Sequence, residues 1–405
     1  MKYKHEYISR SKYIGKINPY INKDIIKVLI GQRRVGKSYM LFQIMDEITK
    51  QDKKANIIYI SKELDEFDHI KDYKDLIQEV NQKKTNKDKQ YIFIDELQDI
   101  ENFEKALRSL QAKKEFDIYC TGSNAKLLSG ELATYLSGRY VEIKIYSLTF
   151  NEFLEFHTLE NDNTSLIKYL KYGGLPYLIN LKLQDHIIYD YLKNIYAAIL
   201  FKDVVKRFNV RNIYFLENLV KYIADNTGSL VSSKKISDFL KSQKIQISPQ
   251  LVIDYLKYLE SAFFIFKTTR ADIAGKKIFE IGEKYYFEDL GLRHSIIGYK
   301  ANDIGKIMEN VVYQHLKTHG YDIYVGKLGE KEIDFVCEKE GKKVYVQVTY
   351  LLQDDKTINR EFGNLLEIKD NYPKYVVSMD EVISGTDYKG IEQIHLRDFL
   401  LRDTF

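Results

Sequence analysis

The sequence has no tryptophan, four prolines and two cysteines in 405 residues. So few prolines exclude long proline-rich spacers. The two cysteines, Cys120 and Cys337, lie far apart, which excludes a disulfide framework and a CxxC-type structural zinc site. A reducing, cytoplasmic compartment fits them best. No apolar run reaches the ~18–20 residues of a membrane span, and the residues after Met1 lack the apolar stretch of a signal peptide. No membrane partner is therefore expected. A large excess of one charge is also missing: Lys+Arg is 62 against Asp+Glu 58, a net +4. That excludes a histone-like nucleic-acid binder and requires any basic surface to be local. No repeat of 20–50 residues is visible. Apolar residues make up 44% and charged residues 30%, as in a folded globular protein, and the length suggests two to four domains of roughly 100–200 residues each.

The first 147 residues alternate apolar strands with amphipathic helices. Asp24–Ile30, Asn56–Ile60, Tyr91–Asp95, Phe116–Thr121 and Val141–Tyr146 read as strands, with Lys37–Thr49 and Phe103–Ala112 among the helices between them. This rhythm predicts a parallel sheet covered by helices. Residues 148–211 read as a helical lid and connector. Residues 212–297 give three helices followed by a ribbon, a winged-helix pattern in which Ser248-Pro249 starts the third helix. Residues 298–405 read as another α/β unit.

Gly31-Gln32-Arg33-Arg34-Val35-Gly36-Lys37-Ser38 fits G-x-x-x-x-G-K-[ST], after a strand and before a helix. The glycines let the backbone wrap phosphate oxygens, and the loop amides and helix N-terminus hold negative charge. Lys37 reaches the β- and γ-phosphates and the Ser38 hydroxyl can ligate Mg²⁺. Tyr91–Asp95 followed by Glu96 is an apolar strand ending in two carboxylates. Asp95 suits the Mg²⁺ water shell, and Glu96 is placed to act as general base toward an attacking water. Thr121-Gly122-Ser123-Asn124 ends the next strand, where Asn124 or Ser123 can orient that water. Arg139, in Ser137-Gly138-Arg139-Tyr140, is a candidate arginine finger, acting either within its chain or across a subunit boundary. Arg34 and Tyr39 flank the loop and can shape the site.

Together, GQRRVGKS, YIFIDELQDI, YCTGSNAKLLSGEL, LSGRY, SLTFNEFL, YGGLP and KYYFEDLGLR resemble the prokaryotic AAA-like P-loop ATPases that carry a C-terminal domain of unknown function. The resemblance covers nearly the whole chain. It implies an α/β fold: a P-loop NTPase parallel sheet, a helical lid, a winged-helix domain and a C-terminal domain of restriction-endonuclease-like fold. ATP and Mg²⁺ are the implied cofactors. ATP in place of GTP rests on this likeness, because no guanine-specific NKxD-type signal is present.

Nucleases of that terminal fold use a helix Glu, a strand Asp and an E-x-K on the next strand, the carboxylates holding metal and the lysine orienting water. The corresponding positions here are Glu309, Asp334, Gln347 and Thr349. The amide of Gln347 carries no charge and Thr349 cannot replace an ammonium, so nuclease activity is not expected unless Lys327 or Lys331 substitutes in space. For the winged helix, Gln250, Asp254, Lys257, Lys267, Arg270, Lys276 and Lys277 make double-stranded DNA a candidate partner through phosphate contacts. A protein partner or a second copy of the chain is the competing one. The expected function is a Mg²⁺-dependent ATPase that moves its lid and winged helix. The alternatives are a slow nucleotide-controlled switch and an active nuclease.

Overall fold

The computed structural model describes residues 7–85, 89–125, 136, 138–242, 246–273, 278–352, 355–380 and 387–405. These form two compact units. One is the chain up to Tyr146 with Ser261–Phe263; the other is Ser147–Glu260 with Phe264–Phe405.

In the first unit, β1 (Ile26–Ile30), β2 (Asn56–Ser61), β3 (Gln90–Asp95), β4 (Phe116–Gly122) and β5 (Tyr140–Lys144) make one sheet in the order β2-β3-β4-β1-β5. Every pairing is parallel, as the alternating pattern predicts. Every residue of β1, β3 and β4 is buried. Their unbroken apolar runs are what strands covered on both faces require. The helices Lys37–Gln51, Tyr73–Lys83 and Phe103–Ala112 supply the crossovers that parallel pairing demands. A buried ion pair sits inside this sheet: Lys27 on β1 pairs with Asp117 on β4. The Tyr119 hydroxyl, at 2.9 Å, and the Asn22 N–H, at 2.7 Å, also donate to Asp117.

The second unit begins with helices Phe150–His157, Asn163–Tyr172 and Asp185–Ala198, then Ile213–Asp225, Ser233–Ser242 and Pro249–Ser261. Eight strands follow: β6 (Ile265–Asp272), β7 (Ile278–Phe287), β8 (Asp322–Leu328), β9 (Lys331–Lys339), β10 (Lys342–Val348), β11 (Lys374–Ser378), β12 (Asp387–Tyr388) and β13 (Ile391–His395). They form one sheet, ordered β12-β13-β11-β10-β9-β8-β6-β7. The ribbon expected as a wing is thus the margin of the C-terminal sheet, with β6 parallel to β8. A free β6 would leave a row of backbone groups unpaired, and β8 pairs with it over Arg270–Asp272. The boundary expected at 297/298 therefore falls between strands of one sheet. The segment expected as a lid buries Leu148, Phe150, Phe153, Leu166 and Tyr169 in the same core as Tyr286, Tyr313 and Phe335. The candidate DNA contacts Lys276 and Lys277, with Ser137 and residues 126–135 of the motif segments, lie outside the described residues.

Three of the motif segments meet in this unit. The Ser147 N–H donates to Glu288 Oε1 at 2.7 Å, and Gln314 Nε2 donates to the Ser147 hydroxyl at 2.6 Å. The Gly174 N–H donates to Asp289 Oδ2 at 2.7 Å, and the Leu292 N–H to its other oxygen at 3.0 Å. SLTFNEFL, YGGLP and KYYFEDLGLR are joined by this buried polar interlock.

Candidate nucleotide site

The loop Gly31–Ser38 leaves the C-terminal end of β1 and runs into the helix Lys37–Gln51. Gly31 is required sterically, since a Cβ there would stand 2.1 Å from the Ile145 carbonyl oxygen. Gly36 takes a left-handed φ of 93°, and so does Arg34, at 71°. The helix N-terminus that follows offers N–H groups with no partner inside the helix, a natural seat for an anion. Buried Arg10 braces the loop, donating from Nη1 to Val35 O at 3.2 Å and Tyr146 O at 2.9 Å. Nothing in the motif points to Arg10.

Lys37 Nζ donates to the carbonyls of Gly31 at 3.1 Å and Gln32 at 3.0 Å. The Gln32 side chain is buried, and neither atom of its amide has a hydrogen-bond partner among the described residues. Arg33 is half-buried, whereas Arg34 and Tyr39 are exposed.

The sheet register brings the carboxylates to this loop. Ile94 pairs with Cys120 and Leu29 with Thr121, so β1, β3 and β4 end side by side. Asp95 accepts a hydrogen bond from Thr121 Oγ1 at 2.5 Å and another from the Ser38 hydroxyl. Burial pushes its pKa above the ordinary carboxylate value despite these bonds, and Glu96 next door adds to the rise. Glu96 has a left-handed backbone, with φ 55°, and its N–H donates to Thr121 Oγ1 at 2.9 Å. Its carboxylate accepts from the Gln98 amide and from Ser123 Oγ, the latter at 3.3 Å. Burial pushes this pKa up, but Lys37, Gln98, Arg33 and Ser123 more than offset it, so Glu96 lies below its usual value. Asn124 is buried just beyond Ser123. Thr121 touches both acidic residues; the sequence signal for it is its place near the end of an apolar strand.

Arg139 is a different case. It is exposed and precedes β5, and its carbonyl accepts from the Ile26 N–H at 2.9 Å. Parallel strands put that point at the N-terminal edge, about 13 Å of strand from the loop. Within its own chain, Arg139 is not brought to the phosphate loop.

In the second unit the structure gathers Glu309, Asp334 and Gln347. Gln347 Oε1 accepts from the Asp334 N–H at 3.2 Å. The lysine at this cluster is Lys284 on β7, while Lys331 pairs with Glu367. Of the DNA-facing candidates, Gln250 donates to Asp254 at 3.0 Å and Lys267 pairs with Glu283 at 3.1 Å. Among the described residues, no helix is long and apolar enough to cross a membrane.

Residues 23–154 match the AAA domain family, and residues 163–303 match a domain of unknown function. The first unit is an AAA-type P-loop ATPase domain. The chain is 38% identical to an uncharacterized protein of Haemophilus influenzae, over 98% of this chain and 99% of that one. It is 32% identical to an uncharacterized protein of Methanocaldococcus jannaschii, covering 84% of this chain and 80% of the relative. The chain belongs to the family that these two proteins represent. Among solved structures it is similar in fold to a Walker-type ATPase of Pyrococcus abyssi. There the TM-score is 0.51 and the identity 16%, with 72% of this chain and 96% of the other covered.

Proposed function

We propose that the chain is a Mg²⁺-dependent ATPase whose turnover drives a rearrangement of its second unit. The observation that carries this reading is the meeting of loop and acidic strand at one sheet edge, with the Ser38 hydroxyl on Asp95. The residues suit the ligand. Gly31 admits close backbone approach, the buried Gln32 amide has unused hydrogen-bonding capacity, and Ser38 with Asp95 is a hard oxygen pair of the kind Mg²⁺ takes. The amides of residues 31–38 would hold the phosphates, with Lys37 neutralising the terminal ones. Mg²⁺, when bound, would polarise the terminal phosphoryl group. Glu96, kept ionised by Lys37 and Arg33, would accept the proton of the attacking water that Asn124 orients. Arg139 would serve as a finger only toward nucleotide held by a second copy of the chain.

The test is phosphate release beside nucleotide binding. Glu96→Gln is expected to lower turnover by about 10²–10⁴-fold with binding retained. Undiminished release in that variant, or no binding heat from ATP with Mg²⁺, removes the proposal.

One observation favours a slow, switch-like enzyme that signals to a protein partner: the Glu96 carboxylate is already held by Gln98 and Ser123. Double-stranded DNA is the other partner to test. Because Lys267 is paired with Glu283, duplex affinity is expected to be weak. Affinity that does not fall with added salt would exclude phosphate contacts.

A further inference from the structure

The cluster on the terminal sheet holds a cation of its own. Lys284 is 2% exposed. Its Nζ lies 2.7 Å from Glu309 Oε1, 2.9 Å from Glu332 Oε1 and 3.6 Å from Asp334 Oδ1. Several other polar atoms of the cluster are engaged as well. Glu309 Oε1 also accepts from the Tyr286 hydroxyl at 2.6 Å, and a Cβ on Gly228 would stand only 3.1 Å from Glu309 Oε2. Asp334 Oδ2 accepts from the Val348 N–H at 2.9 Å, and Gln347 Oε1 is engaged by the Asp334 N–H.

A restriction-endonuclease-like domain would hold a divalent ion between the helix Glu and the strand Asp. The residues present do not fit one. A divalent ion needs oxygen ligands at about 2.0–2.6 Å, and the oxygens that face one another here surround an ammonium, with Glu309 and Glu332 at hydrogen-bond distance and Asp334 in ion-pair range. Among the described residues no group of His, Cys, Asp and Glu is arranged to hold a metal.

We infer that the Lys284 ammonium is the resident cation of this cluster, standing where a divalent ion would have to stand, so that the terminal domain is a metal-free clamp and not a nuclease. Burial lowers the Lys284 pKa, but Glu309, Asp334 and Glu332 more than offset it and hold it above the ordinary lysine value. The clamp joins three elements. Lys284 and Tyr286 alternate on one face of β7, Glu309 lies on the helix Ile304–Thr318, and Glu332 and Asp334 lie on β9. Removing one partner of such a buried group leaves charge uncompensated, which is costly.

The experiment is Mn²⁺ binding by the full chain, read by the loss of the free-ion spin-resonance signal, together with Mn²⁺-supported plasmid cutting. Wild type and Asp334→Asn are expected to bind Mn²⁺ alike and to leave plasmid intact. Lys284→Met is expected to gain a site at least tenfold tighter than any in wild type at this cluster, lost again in Lys284→Met/Asp334→Asn. A Mn²⁺ site or plasmid cutting in wild type that disappears with Asp334→Asn overturns the inference. So does a folded Lys284→Met that binds no additional ion. If Lys284→Met does not fold, the wild-type and Asp334→Asn pair still decides. These readouts do not depend on ATP turnover, so the inference and the ATPase reading stand or fall separately.

Discussion

His294 is 1% exposed, with its Nε2 3.1 Å from the Leu170 carbonyl, to which the neutral ring donates. Burial, with Arg293 beside it, pushes its pKa down to about 3. The unfolded chain, where histidine titrates near 6.5, therefore takes up the proton first on acidification. Stability is retained above about pH 6.5 and lost progressively as pH falls toward 3, by about 2 kcal/mol at pH 5. The urea midpoint is expected to drop between pH 7 and pH 5, and His294→Gln, which keeps a donor, to lose about one proton of that slope. An unchanged slope in the variant would reject the assignment. At this scale the sequence was legible where a residue type carries its chemistry by itself. Lys37, Ser38 and Asp95 were named from the motif and stand together. Thr121 and Lys284 were not, because their importance comes from register and from which strand lies over which helix. Arg139 was named for its chemistry and proved to lie at the wrong end of a parallel strand for its own loop.

Gly291 shows what holds elements together. A Cβ there would stand 2.0 Å from the Tyr172 carbonyl oxygen, where the helix Asn163–Tyr172 meets the helix Leu290–Ile297. Gly291→Ala must part the two, at a cost of about 1–3 kcal/mol by the measure of overpacked cores. The variant's thermal midpoint is the check, and a wild-type value would mean that the helices separate freely. Elements with unbroken apolar runs, such as β1, β3 and β4, could be read directly. The helix Tyr73–Lys83 is hard to read from sequence, since only Leu76 and Val80 supply its buried apolar face, although Asp72 and Asp75 form a capping box at its start. The strands β12 and β13 were too short and polar to stand out. Three helices and a ribbon read as a winged-helix pattern; local periodicity carries no information on which sheet the ribbon's margin joins.

For the whole molecule, two contact units predict two calorimetric transitions. ATP with Mg²⁺ is expected to raise only the one that belongs to the P-loop unit, by about 2.7 kcal/mol when ligand stands at a hundred times its dissociation constant. A single transition, or an equal rise in both, would show that the units unfold together. Chain-wide, the alternation of strands and helices reveals the parallel sheet, whereas the grouping of Ser147–Glu260 with Phe264–Phe405 depends on contacts between distant segments and is not legible. The strand order has a consequence for synthesis. β1 hydrogen-bonds to β4 and β5 and to no earlier strand, so it leaves the ribosome with neither neighbour yet made. A nascent chain halted before Phe116 would present the glycine-rich turn without flanking walls. The walls of the phosphate loop are therefore complete only once β4 and β5 have both been translated.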